Sequence, residues 1–171
     1  MQNKIPLSAA IGLFITGLFL FAAIFAPWLA PHELGEVVGG VWEPSSADFL
    51  LGTDNLGRDL LSRMIHGART TIFIAVMATL LSFTLGSVLG LTAAVIGGWI
   101  DQVLSRLVDL LMSIPTLIFA LVVLSVLPSN LFTLIIVMGT LDATRVFRLS
   151  RAVAVDINVM EFVEAARLRG E

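Results

Sequence analysis

Residues Thr70–Ile100 read TTIFIAVMATLLSFTLGSVLGLTAAVIGGWI, without one Asp, Glu, Lys or Arg among them. A helix needs about 20 predominantly apolar residues to cross a bilayer, so this stretch predicts a membrane span. Within it Ser82, Gly86, Gly90 and Ala94 recur at every fourth position and share one helix face. Small residues at that spacing let a second helix come close, and in lipid it is such packing that drives association. Gly97-Gly98 is expected to end the helix.

Two more uncharged runs flank this one. Leu7–Ala30 exceeds the roughly 7–15 apolar residues of a secretory signal core. It is expected to be an uncleaved first helix ending at Pro27 or Pro31. Leu110–Leu141 is too long for one helix, and Pro128-Ser129-Asn130 interrupts it. Two spans are expected there, over about 104–127 and 131–149, with Pro115 kinking or beginning the first. The fold class is therefore an all-α, polytopic membrane protein with four spanning helices. Composition agrees. The chain of 171 residues is 57% hydrophobic and 13% charged, with a mean hydropathy of +0.98, against about 45–50% and about 25% in soluble domains.

Composition also excludes several functions. Without Cys there is neither a disulfide framework nor a thiolate metal site. The net charge of −3 gives no reason to expect nucleic acid as a partner. The chain's single lysine, Lys4, has no glycine before it, so the G-x-x-x-x-G-K-[ST] phosphate loop of an ATPase is absent. His32 and His66 lie in or beside a polar segment with no motif around them, which argues against a metal or a nucleophile–base pair; no catalytic residue, metal or cofactor is expected. An ion-coupled secondary transporter or channel is the alternative reading. Such proteins keep ionisable residues inside their spans, and the runs 7–30, 70–100 and 110–141 have none.

The polar segment 32–69 holds Glu33, Glu36, Glu43, Asp48, Asp54 and Asp59 with Arg58, Arg63 and Arg69. Its glycines and prolines predict an extramembrane loop, followed by a short helix from about Asp59 to Gly67. After Asp142 the chain is polar again, and Arg145, Arg148 and Arg151 fall at three-residue intervals on one side of a helix. With four spans, both chain ends and the 97–109 connection share a side. That side carries Lys4, Arg106, Arg145, Arg148, Arg151, Arg167 and Arg169, and the basic-residue bias makes it cytoplasmic.

Two motifs carry a resemblance. Glu161–Gly170 reads EFVEAARLRG, whose Glu164-Ala165-Ala166 with Gly170 resembles the EAA signature of permease subunits in binding-protein-dependent ATP-binding-cassette importers. Two alanines give a short helix a flat side, and Gly170 can end it with positive φ. Leu51–Arg63 reads LGTDNLGRDLLSR and is followed by Gly67-Ala68-Arg69. It is similar to the segment before the second helix in permeases of the dipeptide/oligopeptide/nickel family. Gly97-Gly98-Trp99-Ile100-Asp101, Arg106-Leu107-Val108-Asp109 and Ile114-Pro115 resemble that family too.

The resemblance implies a type-1 importer fold over 70–171, preceded by a first helix and periplasmic loop over 1–69. It implies location in the bacterial inner membrane, with import of peptides, nickel or a related small solute. The implied partners are ATP-binding subunits that bind the ATP, a second permease subunit, a periplasmic solute-binding protein and the lipid bilayer. Glu164, Ala165, Ala166 and Gly170 become the expected ATPase-coupling residues. Leu51, Gly52, Thr53, Asp54, Gly57, Arg58, Asp59, Ser62 and Arg63 are expected to be structural. Family permeases continue past the EAA glycine with two more spans, so the chain is expected to be a fragment or an early-terminated product.

Overall fold

The computed structural model describes residues 6–128, 130–158, 160, 163 and 169, and apart from one isolated bridge its regular structure is helical. The elements are α1 (Leu7–Ile24), α2 (Ala26–Leu29), α3 (Leu60–Ile96), α4 (Gly98–Ser113), α5 (Thr116–Val126) and α6 (Leu131–Asn158). The chain forms two compact units, Met1–Phe73 and Ile74–Glu171, whose boundary falls within α3.

In the first unit, α1 leaves most of its large apolar side chains outside, including Leu13, Phe14, Leu18 and Phe19, as a helix in lipid must. The chain breaks at Phe25, two residues before Pro27, whose missing N–H cannot continue the hydrogen-bond ladder. α2 then adds one turn and ends before Pro31. The expected single helix over 7–30 is thus two helices, with the interruption where proline chemistry puts it.

The short helix expected over 59–67 and the span expected over 70–100 are one continuous helix, α3, of 37 residues. No proline interrupts it, and an isolated Gly67 costs only about 1 kcal/mol relative to alanine. At 1.5 Å per residue α3 is about 55 Å long, well beyond a hydrocarbon core of about 30 Å. Its charged first turns therefore need not enter the apolar layer. It stops where Gly97 and Gly98 take φ of +65° and +58°, a left-handed backbone that suits glycine.

The span expected over 104–127, with Pro115 kinking or beginning it, is two helices. Ile114 is extended, as the residue before a proline prefers to be, and α4 and α5 meet at Pro115 with a bend of 88°. α4 is an amphipathic helix and α5 a short apolar one. α6 begins with the Asn130 side chain accepting the Thr133 N–H at 2.8 Å, an N-cap. It continues past the expected end at 149 to Asn158. By length and composition, α1 and α3 can each cross a membrane, and the bent α4–α5 pair can supply a third crossing.

The second unit's interior is thin. Ala93, Val108 and Phe147 form one buried cluster with Leu104 against it. Ala120, Val137 and Leu141 form another, with Phe119, Val123 and Leu124. Large side chains such as Leu80, Phe83, Val95, Leu117 and Val126 face outward.

Candidate functional site

In the first unit the chemistry-bearing residues gather at the end of the loop, where it enters α3. Asp54 is the hub. One carboxylate oxygen accepts the N–H groups of Leu56 at 2.7 Å and Arg58 at 3.0 Å. The other accepts the Arg58 guanidinium at 2.9 Å and that of Arg63. Burial raises the Asp54 pKa, but the backbone N–H groups of Arg58 and Leu56 and the Arg58 charge outweigh it and bring the group to about 2. Gly57, at φ +72°, closes this turn so tightly that a Cβ would collide with the Gly39 carbonyl oxygen.

Asp59 caps α3. Its carboxylate accepts the N–H of Leu61 at 3.2 Å and of Ser62 at 3.1 Å, the second and third helical positions. Ser62 is almost wholly buried and donates its hydroxyl to Asp59 at 2.6 Å. The same hydroxyl oxygen accepts the His32 backbone N–H at 3.0 Å, and the His32 ring reaches Asp59 at 3.5 Å. Burial raises the Asp59 pKa, yet the Ser62 hydroxyl and N–H, His32 and Leu61 leave it below the ordinary carboxylate value. Thr53, also buried, donates to the Gly40 carbonyl at 2.6 Å and accepts the Glu43 N–H at 2.8 Å. Gly52, at φ +76°, would drive a Cβ into the Glu43 carbonyl. Leu51 alone among the motif residues stays exposed. The other eight, Gly52, Thr53, Asp54, Gly57, Arg58, Asp59, Ser62 and Arg63, are brought together in one knot.

In the second unit the small residues of α3 meet α6. A Cβ on Gly86 would lie 2.5 Å from Val146 Cβ and 2.7 Å from the Ala143 carbonyl oxygen. On Gly90 it would lie 2.7 Å from the Phe147 carbonyl oxygen and 3.0 Å from Ser150 Cβ. Ser82 is buried, whereas Ala94 is half-buried and accepts the Asn158 side-chain amide at 3.2 Å. From α6, Gly139 answers against Leu81.

The arginine row of α6 meets acids. Arg151 engages Asp101 of α4 through two nitrogens, Nη2 to Oδ2 at 2.6 Å and Nε to Oδ1. Arg148 donates to Asp109 of α4 at 2.8 Å. Arg145 pairs with Asp142 on its own helix at 3.7 Å. A cleft of about 240 Å³ lies between α4 and α6 here, lined by Ser105, Val108, Asp109, Phe147, Arg148 and Arg151. Sequence reasoning found the arginine row but not these partners. The available signal was the spacing of Asp101, Ser105 and Asp109, four residues apart on one face of α4. The expected coupling residues Glu164, Ala165, Ala166 and Gly170 lie outside the described residues.

Comparison with known proteins places this arrangement. Residues 86–171 match the family of binding-protein-dependent transport system inner membrane components. The di/tripeptide transport system permease protein DppC of Pseudomonas aeruginosa is 36% identical over 93% of this chain and 55% of its own length. The oligopeptide transport system permease protein OppC of Bacillus subtilis is 34% identical over 99% of this chain and 55% of its own length. DppC of Haemophilus influenzae is 32% identical over 99% and 59%. The chain thus spans little more than half the length of these relatives. With half of its own residues covered by the family match, the chain belongs to the binding-protein-dependent transport system inner membrane components.

Proposed function

We propose that this chain acts within a permease subunit of an ATP-driven importer that moves peptides across the bacterial inner membrane. The observation that carries the reading is the similarity along nearly the whole chain to permeases named for dipeptide, tripeptide and oligopeptide transport. In this reading four crossings are made by α1, α3, the bent α4–α5 pair and α6. The loop 32–59 faces the periplasm, where a solute-binding protein delivers substrate, and the Gly97–Gly98 turn and both chain ends face the cytoplasm.

ATP is bound and hydrolysed by separate cytoplasmic subunits. The segment holding Glu164, Ala165, Ala166 and Gly170 docks on one of them, and a second permease subunit completes the pathway. The loop knot keeps its structural role, fixing the start of α3 instead of touching substrate. The glycine face of α3 brings α6 close, so a displacement at the docking segment reaches the body of the subunit through α6.

The experiment is uptake of a labelled dipeptide in cells whose other peptide importers are deleted. Uptake that requires this chain, and that falls in Glu164→Ala and Gly170→Ala variants of the subunit in which it occurs, is expected. Uptake that is unchanged when the chain is removed overturns the substrate assignment.

A further inference from the structure

We propose that the ion pairs joining α4 to α6 form a strut that holds the last turns of α6, the helix from which the chain runs on to the proposed docking segment. This deepens the docking role given above and rests on it for its functional meaning. The structural part stands on four observations.

First, the apolar clusters on α6 lie in its first two thirds. The buried clusters on it involve Val137, Leu141 and Phe147. Beyond Phe147 packing continues only through the close approach of Gly90 to Ser150 and the buried Ala154, and the contacts that carry direction there are polar. Second, that polar hold has direction. Arg151 presents two nitrogens to the two oxygens of Asp101, and a planar fork on a carboxylate fixes orientation as well as distance. Third, the acid is itself steadied, because Ser105 donates to Asp101 at 3.3 Å from one turn further along α4. Fourth, the last residue of α6, Asn158, is tied to the Ala94 carbonyl near the end of α3.

The contacts fall on opposite sides of the Gly97–Gly98 turn, so α6 ends braced against both helices that the turn connects. The two ion pairs differ in weight. Asp101 and Arg151 are 21% and 36% exposed, whereas Asp109 and Arg148 are 52% and 56% exposed and share one contact. Water and salt screen the second pair more strongly, so Asp101–Arg151 is the main member. Arg151, Asp101 and Asn158 are positioning residues in this account, acting through the helix they hold. Because α6 is unbroken from Leu131 to Asn158, a push at the braced end travels to the clusters on α5.

The chain has no cysteine, so a single spin label can be placed by Met160→Cys, two residues past α6, and a control label by Leu121→Cys on the exposed face of α5. Both are read in lipid nanodiscs in the otherwise unchanged chain, with Asp101→Asn, Arg151→Lys, Asp109→Asn and the exchanged pair Asp101→Arg/Arg151→Asp. Asp101→Asn is expected to give a severalfold larger mobile fraction at position 160 and no change at position 121. Arg151→Lys should give a smaller increase, Asp109→Asn the smallest, and the exchanged pair partial recovery.

An unchanged label at 160 in Asp101→Asn, or loosening at 160 and 121 together, overturns the strut. The docking reading is tested separately, by whether Gly170→Ala and Glu164→Ala reduce capture of an ATP-binding subunit. A label that responds while capture is indifferent to both changes leaves the strut standing and removes its docking role. A label that does not respond removes the strut whatever the capture shows.

Discussion

The loop knot around Asp54 and Asp59 and the helix contact around Gly86 and Gly90 solve the same problem, close approach of backbone segments, by opposite means. In the knot, Thr53, Asp54, Asp59 and Ser62 are buried polar groups, and each is supplied with hydrogen bonds because burying them unsatisfied would cost more than folding gains. At the helix contact the polar side chains are few, Ser82 buried and Ser87 meeting Ser150 at 3.5 Å. Glycines on α3 remove the side chains that would keep α6 away, and the gain is dispersion between backbones. One region is specified by what its residues bond, the other by what its residues lack. Polar specification depends on protonation, and steric specification does not.

The largest effect should come from filling the steric contact. Gly86→Leu would place atoms where Val146 and the Ala143 carbonyl already stand. Overpacking costs about 1–3 kcal/mol and occasionally more, here at the upper end because a backbone carbonyl cannot turn aside, and it is seen as loss of the folded second unit in detergent titrations. Tolerance of leucine at 86 would show that the α3–α6 contact is not sterically specified.

Next comes the knot. Ser62→Ala removes a hydroxyl that donates to Asp59 and accepts from His32. Leaving buried partners unmatched costs about 1–3 kcal/mol. The expected sign is faster hydrogen exchange and proteolysis in the loop 32–59, without change in the second unit.

Acid should separate the two regions. Asp54 is held at about 2, below its ordinary value of 3.8. A depressed carboxyl contributes stability that is present above the ordinary value and is lost as pH falls through the folded one. The knot should therefore loosen between about pH 4 and pH 2, while the glycine-packed helices keep their signal. Trp42 lies in the loop, and replacing Trp28 and Trp99 by Phe leaves it as the sole tryptophan reporter. A fluorescence change above pH 5 only, or none at all, would contradict this origin of the knot's stability.

The smallest effect sharpens the contrast among glycines. Gly67 has open space around its missing Cβ, so Gly67→Ala should be neutral or stabilise α3 by up to about 1 kcal/mol. Thermal melts of Gly67→Ala and Gly86→Ala side by side test whether position, not glycine content, decides.

The same distinction sets how much the sequence could disclose. The period-four small residues of α3 and the Gly97–Gly98 stop were legible because they are local patterns with direct steric meaning. The bend at Pro115 was anticipated as a kink or a helix start, and the break at Phe25 as a helix end at Pro27 or Pro31. Their outcome, a one-turn α2 and an 88° bend, depends on how neighbouring segments pack. Charges at Arg63, His66 and Arg69 suggested a boundary inside α3, but charge marks solvent and does not break a helix. The cross-helix pairs Asp101–Arg151 and Asp109–Arg148 were not legible, since they follow from where α4 crosses α6. Nor was the place of His32, whose partners Asp59 and Ser62 lie a whole loop away.

As proposed above, the chain belongs to an ATP-driven permease and carries the docking segment for the ATPase. Co-purification in mild detergent tests it most directly. The chain is expressed with an ATP-binding subunit and a second permease from the same source, as wild type and as Glu164→Ala and Gly170→Ala. The ATP-binding subunit should be recovered with the wild type, and recovery should fall in both variants. Recovery that is absent with the wild type, or equal in all three, would contradict it.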